Sequence, residues 1–380
     1  MLIGIDASRA IKQHKTGVEW YAYHVIEDLV KIDTANQFVL YCDKTPDAWL
    51  KKIGERPNVK IKRLGWPLKY FWTQGRLSLE MLLRAPDILF ISASAMPVIH
   101  PENTVVAIHD VGFMAYPQSY GHWQRWYQKF STRFTVKYAA KIITISEFSQ
   151  REIIKYFKAD ERKISVTYLG YDKERFNGDV ETRHASSLRK KYDITPPYFL
   201  FVGRLEHKKN ILGLIKAFSL LSHEVQLVLA GSPGYGWLEA EKIIKEKNLQ
   251  SDIVVTGYVP EADLPALYRG ATALVFPSFY EGFGLPILEA FASGTPVICS
   301  NAASLPEVAG AAALYVEPNN IKALADAMTQ VLTHETLRRE LTYKGREQVE
   351  RFLWEKCGRE LAEVFTEMAK KQKNKKTNQV

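Results

Sequence analysis

The chain has 380 residues, of which 46% are hydrophobic and 24% charged. That length suggests two domains of roughly 150 residues with a terminal extension, and the composition excludes a disordered or a membrane-embedded chain. The net charge of +9 is unevenly spread: residues 1–200 carry all of it, residues 201–380 sum to zero, and without the five lysines of the last eleven residues the stretch 201–369 stands at −5. Uniform basicity would point to nucleic acid, and no such partner is expected; the asymmetry points to one domain that meets an anionic partner or surface and another that does something else.

The first ten residues, MLIGIDASRA, lack the basic start and long apolar run of a signal peptide, and no stretch reaches the ~18 apolar residues of a spanning helix. A cytoplasmic location is expected, at most peripheral on the inner face of the membrane. Cys42, Cys299 and Cys357 are odd in number and far apart, which indicates neither a disulfide framework nor a zinc clamp.

In chain order, Leu2–Ile5, Phe38–Tyr41, Ile88–Ile91, Val105–Ile108 and Ile142–Ile145 are short apolar runs bounded by turn residues. Helical periodicity between most of them predicts a parallel sheet of βαβ units. Within this series, residues 122–138 (HWQRWYQKFSTRFTVKY) place Trp123, Trp126, Tyr127, Phe130 and Phe134 on one helical face, with Arg125, Lys129, Arg133 and Lys137 along an adjoining one. Two readings stand: a helix burying its aromatics against the sheet, or a membrane-surface helix, to which the basic aromatic stretch at 60–72 (KIKRLGWPLKYFW) also points.

Residues 171–197 are polar, end in a proline pair and suit a linker followed by a short helix, with a boundary near 178. The strand grammar then restarts at Tyr198–Val202, Val225–Ala230, Ile253–Thr256, Ala273–Phe276 and Val297–Cys299. Two doubly wound α/β domains are expected, 1–178 and 179–355. The amphipathic stretch 335–369 predicts one or two helices, its last part, 356–369, packing back on the first domain. Residues 370–380 are expected to be a disordered, lysine-rich tail.

The most informative segment is 275–296, VFPSFYEGFGLPILEAFASGTP, which reads strand, loop, helix, turn. Pro286 suits a first helical turn, and Gly282 and Gly284 before it let backbone amides and a helix N-terminus face an anion, a phosphate being the expected guest. Glu281 falls in the loop and Glu289 about one turn into the helix. Two carboxylates beside an anion are costly unless ligand hydroxyls bond to them, and a sugar with its ribose supplies such groups. The bland alternative is a glycine-rich helix cap with solvated glutamates.

This segment resembles the E-x7-E signature of retaining glycosyltransferases of family four, GT-B class, and other signatures follow in the expected order along nearly the whole chain. The resemblance implies two Rossmann-like domains facing a central cleft, the acceptor on the first and the nucleotide sugar on the second. FVGRLEHKKN at 201–210 is similar to the loop after the first donor-domain strand, with Gly203 in it; the family's matching residues assign Arg204 and Lys209 to the donor diphosphate. Two cations beside a helix start can neutralise a diphosphate without a metal, and no Asp-x-Asp occurs, so no metal and no cofactor are expected.

In the same family Glu281 orients the donor sugar, Glu289 meets the ribose, and the backbone of Gly282, Phe283, Gly284 and Leu285 faces the donor. Tyr258 and Val259 in TGYV correspond to the holder of the base. His109, in VVAIHDVG, matches a residue that lies against the sugar near its primary hydroxyl, and Asp110 either orients that ring or caps the next turn. Gly17 follows the first strand where relatives carry two adjacent glycines and this chain has Thr16 and Gly17; it either contacts diphosphate or acceptor or makes an ordinary tight turn. Ser146 and Glu147 read as a helix start.

The resemblance therefore implies hexose transfer from a GDP- or UDP-linked sugar to a glycan or lipid-linked acceptor, with an anionic membrane surface as a further partner. EGFGLP and SNAASLPEVAG are similar to mannosyltransferases of cell-surface polysaccharide synthesis, which leans toward mannose and a guanosine-linked donor. A nucleotide-sugar epimerase of the same fold would convert donor without an acceptor, and a silent relative would bind nucleotide without releasing it.

Overall fold

The computed structural model describes all residues except 69, 177–187, 189, 222, 223 and 378–380. The chain divides into two compact units, Met1–Gly170 with Leu353–Val380, and Tyr171–Phe352. The boundary expected near 178, with much of the expected linker, lies in 177–187, outside the described residues; the observed division comes earlier, after Gly170. Counted by these units, the first carries +11 and the second −2. The charge contrast is therefore between a strongly basic unit and a nearly neutral one.

The first unit is built on seven strands: β1 (Leu2–Asp6), β2 (Gln37–Cys42), β3 (Val59–Arg63), β4 (Ile88–Ile91), β5 (Thr104–Ala107), β6 (Lys141–Thr144) and β7 (Ile164–Val166). They form one parallel sheet in the order β3-β2-β1-β4-β5-β6-β7. Ile3, Ile5, Leu40, Phe90, Val105 and Ile142 are wholly buried in it, because helices cover both faces of a parallel sheet and its inner strands must be apolar throughout.

In the second unit the strands are β8 (Tyr198–Val202), β9 (Gln226–Ala230), β10 (Ile253–Gly257), β11 (Ala273–Phe276), β12 (Val297–Ser300) and β13 (Ala313–Val316). Their order is β10-β9-β8-β11-β12-β13, again all parallel. In each sheet the winding reverses once, between β1 and β4 and between β8 and β11. Loops leaving the carboxyl ends of two such strands turn opposite ways and open a crevice, the place where open α/β sheets bind ligands.

The last helix, Trp354–Thr377, belongs to the first unit. It packs on the helix Gly17–Ile32, where the rings of His24 and Trp354 stack with centroids 4.8 Å apart, while Phe365 meets Phe90 at 5.8 Å. The lysine-rich segment expected to be disordered from 370 instead continues this helix to Thr377; a helix already anchored by packing extends at little further cost, one residue fixed for each new hydrogen bond. At Gly170 a side chain is excluded, since a Cβ there would lie 2.1 Å from the backbone nitrogen of Trp354.

Helix Gly17–Ile32 also carries a buried carboxyl. Asp28 faces Gly358 across the helix pair, and burial pushes its pKa up to about 6 against the partial relief of Lys31. The unfolded carboxyl titrates near ~3.9, so between pH 4 and 6 the folded chain holds a proton that the unfolded chain has lost, and stability falls as pH rises through that window. Asp28→Asn should therefore raise the melting temperature at pH 7.5 and change it little at pH 4; thermal unfolding of both proteins across this range checks it.

Candidate functional site

At the carboxyl edge of the second sheet, four loops are tied to one another by backbone bonds. The loop after β8 joins the loop after β9 through Leu205 N to Ser232 O (3.0 Å) and Gly234 N to Leu205 O (2.8 Å). It joins the loop after β11 through Phe279 N to Lys208 O (2.9 Å). Gly231, after β9, bridges Gly257 at the end of β10. Gly231 has φ +159°, and a Cβ on it would come within 1.8 Å of Gly203 O. A side chain there would hold the two loops apart.

Asn210 ties together loops of the same crevice. It sits at φ 58°, caps the helix Ile211–Phe218 through Oδ1 accepting from Gly213 N (3.2 Å), and is buried. Its Nδ2 donates to Pro277 O (3.2 Å) and Pro318 O (2.7 Å). A single amide thus clamps the loop after β8 to the loop after β11 and to the segment after β13. A buried carbonyl left without a donor is costly.

Two of the expected site residues meet directly within this frame. Lys209 Nζ donates to Glu281 Oε1, and Ser278 Oγ donates to the same oxygen at 2.9 Å. Lys209 also lies over the Phe276 ring, 5.3 Å from its centroid. Arg204 is exposed beside Gly234, and among the described residues no acidic group pairs with it. The crevice therefore presents one unpaired guanidinium and one ammonium already held by a carboxylate.

The loop carrying Glu281, Gly282 and Phe283 is shaped by Ser304. This buried hydroxyl lies within 2.9 Å of Glu281 O and 2.8 Å of Phe283 O. Phe283 is buried against Phe352, with centroids 5.8 Å apart, so its ring anchors the loop and only its backbone can face a ligand. Gly284 then adopts φ +117° and caps the helix Leu285–Ala292, whose Pro286 occupies the first turn. A helix begun this way directs its positive end into the crevice.

Glu289 lies deeper in that helix. Tyr268 Oη donates to its Oε2 at 2.7 Å, and an Arg175 nitrogen stands 3.8 Å from its Oε1. Burial raises its pKa from the ordinary value, and the opposing pull of Arg175 and the Tyr268 bond does not cancel this. Arg175 also bonds Glu261 Oε2 at 3.1 Å. Arg175 and Tyr268 escape a reading of the sequence: one sits in a charged connecting stretch and the other in an ordinary amphipathic helix. Tyr258 is exposed at the end of β10 and Val259 is buried beside it.

His109 and Gly17 lie at the carboxyl edge of the other sheet. His109 is buried after β5, its Nε2 donating to Ser92 O (3.0 Å) and its ring edge-on to Tyr21 at 4.7 Å. Burial holds its pKa below the usual value, against the Ser92 bond and the nearby Asp110; the neutral ring then leaves Nδ1 as an acceptor. Asp110 caps the next turn, accepting from Gly112 N at 2.7 Å.

Gly17 is the first residue of its helix and makes no tight turn. In the first turn of that helix, Glu19 completes a capping box with Thr16 and pairs with Lys12 (3.0 Å) and Arg9 (3.3 Å). Burial would raise the Glu19 pKa, yet the bonds from Thr16 and Lys12 hold it low. Ser146 likewise caps its helix, accepting from Ser149 N at 3.0 Å.

Two family models match the chain: "Glycosyltransferase Family 4" over residues 15–175 and "Glycosyl transferases group 1" over 185–348. The O-antigen chain mannosyltransferase B of Escherichia coli is 35% identical over 93% of this chain and 96% of its own length. The O-antigen chain mannosyltransferase RfbU of Salmonella typhimurium is 27% identical over 83% and 87%. Among solved structures, HepE of Anabaena in complex with UDP and glucose superposes with a TM-score of 0.74 at 18% identity, covering 96% of this chain and 99% of that one. A sucrose-phosphate synthase of Thermosynechococcus elongatus gives 0.77 at 22% identity over 97% and 98%. At those identities the structural likeness speaks to the fold.

Asn210→Ala should lower stability by about 2–3 kcal/mol, because two buried carbonyls and a helix amide lose their partner. Asn210→Gly keeps the left-handed backbone and still loses the bonds, so it should be destabilised too; a glycine variant as stable as the wild type in denaturant unfolding would mean that only backbone conformation matters there.

Proposed function

Because the chain belongs to the glycosyltransferases, with a family 4 region and a group 1 region, we propose that it transfers mannose from a nucleoside diphosphate sugar to a hydroxyl of a glycan or lipid-linked acceptor, with retention at the anomeric carbon and without a metal ion. The relatives named for O-antigen chains support a role in cell-surface polysaccharide synthesis. The basic first unit supports work at the inner, anionic face of a membrane, where a lipid-linked acceptor would be met. The GDP-linked donor is preferred over the UDP-linked one because the segments EGFGLP and SNAASLPEVAG resemble mannosyltransferases.

The observation that carries the reading is the Lys209–Glu281 pair set beside unpaired Arg204, at the point where the second sheet reverses its winding. In the reaction the bond from the anomeric carbon to the diphosphate oxygen breaks, a bond to the acceptor oxygen forms, and the acceptor proton passes to the departing phosphate. Negative charge grows on the diphosphate, so cations and amides aimed there stabilise the transition state more than the bound substrate. Arg204, Lys209 and the helix start at Gly284 are assigned that role. Glu281 accepts from sugar hydroxyls and keeps Lys209 in place when no donor is bound.

Glu289 is assigned to the ribose, with Tyr268 and Arg175 holding its carboxylate, and the backbone at Tyr258 and Val259 to the base. Within the first unit, neutral His109 and the helix start at Gly17 keep the roles that the resemblance implies for them.

Glu281→Gln removes the negative partner of Lys209 while keeping shape, and should lower turnover at least about a hundredfold, the usual scale for a lost electrostatic contact, with an unchanged melting temperature. Near-normal turnover would overturn the assignment. Turnover should also survive a chelator such as EDTA, and its loss would contradict the metal-free reading.

A further inference from the structure

The helix His122–Tyr138 is packed the opposite way from an ordinary surface helix. Its buried residues are Ser131, Thr132 and Thr135, and the hydroxyls of Ser131 and Thr135 lie 3.3 and 3.1 Å from the carbonyl of Ser94. The large aromatics face outward: Trp123 is 71%, Trp126 56% and Phe130 55% exposed. They form a ladder, with centroids 5.0 Å apart from Trp123 to Trp126 and 5.8 Å from Trp126 to Phe130. Only Phe134, at the far end of the expected aromatic face, turns toward the core.

The spacing of the exposed stripe is regular. Trp123, Trp126, Phe130, Arg133 and Lys137 follow at steps of three and four, and all are exposed. Three aromatics are thus succeeded by two cations on one line, and the helix contains no acidic residue. Large exposed apolar patches are uncommon on soluble surfaces and mark contacts with protein or membrane.

Further exposed apolar residues lie on a segment tied to the loop of Ser94. That loop continues to Val98, whose N donates to Gln74 Oε1 at 3.1 Å, while Gln74 Nε2 donates to Met96 O at 3.0 Å; this ties the loop to the segment Thr73–Leu77, which the helix Ser78–Arg84 follows. On that helix Leu79, Leu82 and Leu83 are exposed as well.

We propose that this face docks the first unit onto an anionic bilayer, with Trp123, Trp126 and Phe130 entering the interface and Arg133 and Lys137 meeting the lipid phosphates. Amphipathic aromatics settle at the headgroup level, and each cation near an anionic surface adds about a fivefold gain in affinity. Charge selects the occupant: the first unit carries +11, which repels a second copy and attracts anionic lipid. The inference deepens the proposed function by placing the basic unit on the surface that offers a lipid-linked acceptor. Its test needs neither donor nor acceptor, so either can fail alone.

The test is co-sedimentation of the full chain with vesicles of phosphatidylglycerol and phosphatidylethanolamine, against vesicles of phosphatidylcholine. The wild type should bind the anionic vesicles and bind neutral ones at least about tenfold more weakly. Arg133→Gln with Lys137→Gln should weaken binding about thirtyfold, and Trp123→Gln with Trp126→Gln and Phe130→Gln should abolish it. Both variants should keep the wild-type melting temperature, because the replaced side chains are exposed. No binding by the wild type, equal binding to neutral vesicles, or full binding by a folded triple variant would overturn the proposal. So would a wild-type dimer in light scattering that the triple variant dissolves without any vesicle binding, since the face would then be a protein interface.

Discussion

The geometry of the second unit's crevice depends on the side-chain amide of Asn210. Its two donated bonds, to Pro277 and Pro318, pull together chain segments that leave three different strands. The left-handed backbone at the same residue starts the helix Ile211–Phe218 and ends the loop that carries Arg204 and Lys209. Lys209 precedes this fixed point directly, so its ammonium reaches Glu281 with little freedom to wander. Ser304 does the corresponding work for the other loop, its hydroxyl lying against the carbonyls of Glu281 and Phe283. Groups held this way need little reorganisation when charge develops, the condition under which electrostatic stabilisation is most effective.

On the proposed reading, the same arrangement lets a nearly neutral unit, at −2, receive a multiply charged donor. The charge that matters is local. Glu281 neutralises Lys209, Arg175 partly offsets buried Glu289, and Arg204 stands exposed with no carboxylate paired to it among the described residues. A donor that brings both hydroxyls and phosphates can bond to the carboxylates and engage the cations together, whereas a bare anion meets Glu281 as well as Lys209. The strong positive field lies elsewhere, on the first unit, and long-range attraction there favours an anionic surface.

Much of the fold is legible in the sequence because eleven of the thirteen strands among the described residues are apolar runs, as parallel strands covered on both faces must be. Of the three strands that the sequence reading does not place, all at sheet edges, β13 (ALYV) is such a run, whereas β3 and β7 leave no such signal. In β3 lysine and arginine alternate with apolar residues, and β7 has only three residues. The site is legible where chemistry is local in sequence: the Glu281 to Glu289 segment and the loop with Arg204 and Lys209. It is hidden where partners are distant, as with Arg175, Tyr268, Asn210 and Ser304, each ordinary in its own neighbourhood. Helix His122–Tyr138 shows a different limit. Periodicity identifies its aromatic stripe, yet only packing reveals that Ser131, Thr132 and Thr135 face inward and the tryptophans outward.

The most direct measurement is nucleotide release from a panel of GDP- and UDP-linked sugars, with and without a lipid-linked glycan acceptor, together with the anomeric configuration of the product. The account expects release from a mannosyl donor that depends on the acceptor, and a product of the same configuration as the donor. Donor conversion without acceptor, inversion at the anomeric carbon, or binding without release would contradict it.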